Sequence, residues 1–254
     1  MRVWVASLIF YSFVFTVCEI LRYLIIILVP DLKRLSAQLL LEFVGTLQIC
    51  APMFDVGIIM DTYGLFGVFI EITILELANC YFQRDVTSCC RQSKIIRRAI
   101  YVFLTQLAAA YVSFFLAQSF WKIGVHPLHF DLLQNEHCTA DLTVALTTGC
   151  LVEGIATFVG KTFEEFVNDN YEDEWKCSLI NCIFSGFVCA IGINFTGMYA
   201  NPIVAWACTF NCEGVSHIGH LTVYWLSPLI GWYLAEMVFA VDNEQLLDGI
   251  KHRD

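Results

Sequence analysis

Phe195-Thr196-Gly197-Met198-Tyr199-Ala200-Asn201-Pro202-Ile203-Val204 is the stretch on which the reading of this chain turns. Asparagine is a preferred helix N-cap, and proline suits the first helical position, where its missing N–H is not needed. The apolar residues 203–210 then form a helix too short to span a bilayer, which takes roughly 20 residues. Irregular backbone at membrane depth survives only where it is buried in protein or lines a cavity. Asn201 and Pro202 therefore read as the start of a re-entrant half-helix.

The rest of the chain supplies the membrane that this reading needs. Of 254 residues, 58% are hydrophobic and only 15% charged, with a mean hydropathy of +0.66. Soluble domains carry about 25% charged residues. These figures exclude disorder, a collagen-like fiber and a nucleic-acid binder, and leave a polytopic α-helical membrane protein. Twelve cysteines would suggest a disulfide scaffold in a small secreted chain. Here most lie in apolar runs, as Cys18, Cys50, Cys150, Cys182 and Cys189 do, where a thiol acts as a small hydrophobe.

Apolar runs cover residues 3–29, 36–60, 63–78, 99–121, 142–163, 177–193 and 221–241. The first is interrupted by Glu19 and Arg22 and reads as a retained helix rather than a cleaved leader. Lys33, Arg34 and the loop carrying Arg84, Arg91, Lys94, Arg97 and Arg98 are placed on the cytoplasmic side by the positive-inside rule. Alternation sends the 122–139 loop, with His126, His129, His137 and Cys138, outward, and puts the C-terminal tail inside. Those three histidines could bind a metal or sense pH, or simply be solvated loop residues. Six acids between Glu164 and Glu174 supply much of the net charge of −10 and are expected in a cytoplasmic loop.

The chain also repeats itself. Leu41-Glu42-Phe43-Val44-Gly45-Thr46 and Val152-Glu153-Gly154-Ile155-Ala156-Thr157 share E-x-x-x-T inside an apolar helix, with Glu and Thr on one face. An ionizable residue in a span usually faces the bundle interior. Each repeat has three spans, so the second must enter from the opposite side, as inverted-repeat channels and transporters do. Asn79, in Ala78-Asn79-Cys80-Tyr81, matches Asn201 as an asparagine in an apolar setting after the second span of its half. Two half-helices would then meet at the midplane with their positive ends inward. Both asparagines could also be ordinary helix caps.

These residues resemble the aquaporin family, and more closely its superaquaporin, or unorthodox, branch. The 195–203 stretch is similar to the family's TG-xxx-NPA loop, and Cys212 falls nine residues after Ile203, where superaquaporins carry a subfamily cysteine. Val223-Tyr224-Trp225-Leu226-Ser227-Pro228-Leu229-Ile230-Gly231 resembles the last helix, and 40–46 the first core helix. The resemblance covers residues 36–241. It implies an all-α membrane fold: an aquaporin-like inverted repeat of two three-helix halves (35–121 and 138–241) with two re-entrant half-helices, an extra N-terminal hydrophobic helix (1–30) and a cytoplasmic tail (242–254).

The resemblance also implies a function. Asn79, Cys80 and Tyr81, with Asn201, Pro202 and Ile203, would form the pore center, where the two asparagine amides donate to a passing water oxygen. The first motif lacks its proline. Val204 stands where orthodox water channels place an arginine, Cys189 where many have a histidine, and Met198 beside it, so the constriction would be wider and more apolar. Glu42 and Glu153 would hold the re-entrant loops through backbone N–H groups. Cys212 would be structural, either bridged to Cys138 or a buried free thiol. The expected cargo is water with small neutral solutes such as glycerol and hydrogen peroxide, with no cofactor, metal, nucleic acid or enzymatic activity. Superaquaporins are largely intracellular, often in the endoplasmic reticulum, and aquaporins generally form homotetramers. A non-conducting aquaporin-like scaffold and an unrelated polytopic transporter are the alternatives.

Overall fold

The computed structural model describes residues 1–29, 31–90, 96–134 and 138–251, with side chains outside 83–90, 96–98 and 240–251. Among the described residues the chain is predominantly helical, without a strand. The order is α1 (Val3–Leu28), α2 (Leu35–Cys50), a 3₁₀ turn (Pro52–Asp55), α3 (Val56–Cys90), α4 (Ile96–Trp121), α5 (Pro127–Gln134), α6 (Leu146–Asn170), α7 (Glu174–Thr196), α8 (Pro202–Thr209), α9 (His217–Leu221), a π turn (Thr222–Leu226) and α10 (Ser227–Lys251). Among the described residues, four stretches are long and apolar enough to cross a bilayer: Val3–Leu28, Leu35–Phe82, Ala99–Trp121 and Glu174–Thr196. The chain is an all-α, multi-pass membrane protein. Large apolar side chains such as Phe66, Leu151, Phe187 and Ile191 lie exposed on the helices, as lipid-facing residues do.

The chain divides into two compact units, residues 1–139 with 203–212, and residues 140–202 with 213–254. In the first, Phe10, Val14 and Cys18 of α1 are packed with Val44 and Leu47 of α2, Leu75 of α3, and Ala117, Phe120 and Trp121 of α4. The N-terminal helix is thus no appendage; it forms one wall of this core. Two breaks escape a hydropathy reading. Pro52 interrupts the apolar run at the end of α2 with a 3₁₀ turn, and Gly64 bends α3 at φ 67°, ψ −161°, a region open essentially to glycine alone. Beyond that bend α3 continues past Asn79 to Cys90 without another break. Cys138 and Cys212 form a disulfide across 74 residues of sequence, so Cys212 is not a free thiol.

The second unit is built on α6 against α10. No Cβ would fit at Gly231, which faces the Gly154 carbonyl, and small residues allow such backbone approach between membrane helices. The π turn precedes Pro228, which has no N–H to continue an α-helical ladder. There the Ser227 N–H reaches back five residues to the Thr222 carbonyl, and the Ser227 hydroxyl donates to the same oxygen at 3.0 Å. The acid-rich segment is less of a loop than expected. α6 runs on to Asn170, and Lys161 pairs with Glu165 at 2.7 Å and Glu164 at 3.3 Å on its own face. His137, Arg91, Lys94 and residues 252–254 of the tail lie outside the described residues, as do the side chains of Arg84, Arg97 and Arg98.

Candidate pore site

In the second unit a single carboxylate organizes the Asn-Pro loop. α7 ends at Thr196, and Gly197 follows in the left-handed region at φ 77°, the usual helix-closing geometry. A Cβ there would sit 2.7 Å from the Tyr199 ring and 2.9 Å from Asp141 Cβ. Met198 (φ 49°) and Ala200 (φ 45°) are also left-handed, which costs roughly 1–2 kcal/mol per non-glycine residue. Glu153, 0% exposed, offsets this. Its Oε1 accepts from the Thr196 hydroxyl at 2.6 Å and the Tyr199 N–H at 3.2 Å, and its Oε2 from the Ala200 N–H at 2.8 Å. Leaving a buried donor such as the Thr196 hydroxyl unpaired would cost about 1–3 kcal/mol. The Tyr224 hydroxyl donates to the Thr196 carbonyl at 2.9 Å, and the Tyr199 hydroxyl bonds the Asp141 carboxylate.

This cradle delivers the chain to Asn201, which is exposed, and to Pro202, the first residue of the eight-residue helix α8. Ile203 is half-buried and Val204 buried in α8. On α7 Cys189 is buried, and Met198 lies so close over Gly192 that no Cβ fits there without displacing its methyl group.

The first unit treats its matching residues differently. Asn79 sits inside continuous helix, not at the start of a half-helix, and Cys80 and Tyr81 are the next two, exposed, positions of α3. The physical reason is Cys80: unlike proline it has an N–H to donate, so the helix propagates through it. Nor does Glu42 bind a loop backbone. Its Oε1 accepts from Gln106 Nε2 of α4 at 2.7 Å. Glu153 thus accepts backbone N–H groups of the Asn-Pro loop, while Glu42 accepts from a side chain of α4.

Two polar groups of the first unit were not visible in the sequence reading. Gln48, 0% exposed, donates from Nε2 to Asn79 Oδ1 at 2.8 Å, while its own Oε1 accepts from the Arg22 guanidinium of α1. Arg22 is 5% exposed and also pairs with Glu19. The only hint was the Glu19–Arg22 spacing, which sets both on one face of α1. Separately, the Tyr11 hydroxyl contacts Asp55 Oδ2 at 2.8 Å and the Glu71 carboxylate, and His129 Nε2 lies 2.6 Å from Asp55 Oδ1. All four side chains are buried. His129 is therefore not a solvated loop residue; α5 carries it into the core. The Tyr11 hydroxyl has one proton to share between the two carboxyls.

The fold and this site define a multi-pass helical membrane protein with an Asn-Pro half-helix held by a buried carboxylate. No protein-family model matches the chain. It is 26% identical to Aquaporin-11 of Milnesium tardigradum over 89% of this chain and 83% of that protein. It is 27% identical to a Caenorhabditis elegans protein named "Putative aquaporin-10" over 88% of this chain and 82% of that one. With Aquaporin-11 of Rattus norvegicus it shares 24% identity over 54% of this chain and 49% of that protein. The chain is a relative of the superaquaporins, the unorthodox branch of the aquaporin family, whose members are channels and not enzymes. These relatives support a membrane channel of that family.

Proposed function

We propose that this chain conducts water by passive, facilitated diffusion, together with small neutral solutes such as glycerol and hydrogen peroxide. Its pore center is formed by Asn79 and Asn201, with Pro202 starting the half-helix and Ile203, Cys80 and Tyr81 completing the two motifs. Cys189, Met198 and Val204 form the constriction. The two pseudo-repeats are 35–121 and 138–241, following helix 1–30 and preceding a cytoplasmic tail at 242–254. The channel works as a homotetramer in an intracellular membrane, with the endoplasmic reticulum favored and the plasma membrane the alternative. The observation that carries this reading is the Glu153 cradle. It spends a buried carboxylate on three donors and holds two residues in a costly backbone conformation in order to present Asn201 and Pro202. Side-chain amides and a half-helix N-terminus give a passing water its donors while opposing cations and protons.

A second reading, a non-conducting aquaporin-like scaffold, is favored by the uninterrupted course of α3 through Asn79. Proteoliposomes under an osmotic gradient separate the two. The channel reading expects fast shrinkage that is lost in Asn201→Asp with the oligomer unchanged, and measurable glycerol entry. Shrinkage no faster than that of empty liposomes would select the scaffold. Fast water flux with glycerol excluded would remove the wide constriction.

A further inference from the structure

We propose that Arg22 of the N-terminal helix and Gln48 of α2 are positioning residues that fix which end of the Asn79 amide is offered to the pore. The proposal rests on the channel reading for its consequence in flux, but its chemistry stands on hydrogen-bond polarity alone. An asparagine amide has an acceptor end and a donor end of nearly equal shape, and what surrounds it decides the orientation. In the second half a proline-started helix and its cradle set the backbone around Asn201. In the first half no such half-helix forms, because α3 is continuous.

The Arg22 guanidinium can only donate. It contacts Gln48 Oε1, so Gln48 must turn its NH₂ the other way, where it donates to Asn79 Oδ1 at 2.8 Å. With Oδ1 occupied, Asn79 is left with Nδ2–H₂ to offer, and that group has no other partner among the described residues. A fixed positive charge thus sets the direction of a two-amide relay that ends in a donor. Gln48 is fully buried and Arg22 nearly so, which keeps water from competing for the Gln48 amide or the guanidinium that orients it. The relay also gives the N-terminal helix a task beyond packing.

Two substitutions at one position separate orientation from mere support. Gln48→Glu keeps a partner for Arg22, now a charged one, but the introduced carboxylate cannot donate, so Asn79 must turn its NH₂ toward it and present Oδ1. Gln48→Leu strips Arg22 of that partner and leaves Asn79 free to flip. The expected water permeability falls about twofold in Gln48→Leu and about fivefold or more in Gln48→Glu, the weight of roughly one net hydrogen bond. Thermal stability should rank the other way, with Gln48→Leu the less stable. Permeability that follows stability, with Gln48→Glu the better conductor, would overturn the proposal.

Proton–deuteron exchange of the Asn79 side-chain amide, read by solid-state NMR of the ¹⁵N-labeled full chain in lipid, tests the relay without flux. The signal is assigned by its loss in Asn79→Asp. Exchange should be about tenfold slower in Gln48→Glu than in the parent, because the NH₂ is then bonded to the carboxylate. Equal exchange in both would refute the orientation, even if the parent conducts. If the parent does not conduct but Gln48→Glu still exchanges more slowly than the parent, the channel reading is lost and the relay is kept.

Discussion

The two halves begin with the same E-x-x-x-T helix and each holds an asparagine after its second apolar span, yet they solve the site in different ways. In the second half, Pro202 opens a new helix and the chain before it is left-handed, strained and full of backbone donors, which Glu153 collects. In the first half, Cys80 occupies the proline's place, α3 runs straight on, and no loop backbone needs holding. Glu42 is then taken up by Gln106, and Asn79 by Gln48. One residue decides whether backbone or side chains organize the asparagine. Everything downstream of that choice follows from where the unpaired N–H groups are.

The largest break in this comparison should come from Glu153→Ala. It orphans the Thr196 hydroxyl and the N–H groups of Tyr199 and Ala200, one buried donor and two part-buried ones, a loss of roughly 3 kcal/mol or more. Thermal unfolding in detergent micelles should show a large fall in the midpoint, with water flux abolished in whatever protein remains folded. Glu42→Gln keeps an oxygen for Gln106 and should stay within about 1 kcal/mol of the parent. Equal losses at both positions would mean that the two glutamates are equivalent after all.

Next in size is Cys80→Pro, which restores the motif by sequence but not by environment. A proline inside α3 removes one rung of the helix ladder and clashes with the preceding turn, at a cost of about 3 kcal/mol. The midpoint should fall and water flux should not rise. A stable variant with higher flux would show instead that the first half is poised to break as the second does. The reverse exchange, Pro202→Cys, sits at a first helical position and should cost under about 1 kcal/mol, mostly through the freer unfolded chain.

This asymmetry also explains how far the sequence could be read. Asn201, Pro202 and Gly197 were legible because their residue types carry local backbone meaning: a cap, a helix start, a left-handed stop. Glu153 was legible because a carboxylate inside an apolar helix has to find donors. Asn79 was placed on a half-helix by analogy with Asn201, and without the proline the local signal was never there. Gln48 and Arg22 act only through tertiary contacts, so their spacing in sequence says nothing of the relay. His129 looked solvated because its partner Asp55 is 74 residues away. Properties written in one residue's backbone preferences were readable; those that arise between distant side chains were not.

The smallest effect isolates the environment. Asp173, like Glu153, is a carboxylate accepting backbone N–H groups: Trp175 at 3.0 Å and Lys176 at 3.3 Å, at the start of α7. It lies at the water-exposed end of the helix whose far end Glu153 holds. The Lys176 N–H above all holds its carboxyl below the ordinary carboxylate range. A depressed folded-state value means that the cap's contribution is complete above the unfolded pKa, near 3.9, and fades as the pH drops through the lower folded value. The thermal midpoint of the parent should therefore exceed that of Asp173→Ala by a small margin at pH 6, and the margin should narrow below about pH 4. Water solvates this site and competes for both N–H groups, so the margin should be a small fraction of the Glu153→Ala loss. A margin as large as that loss, or one that widens in acid, would mean that burial is not what makes the Glu153 cradle strong.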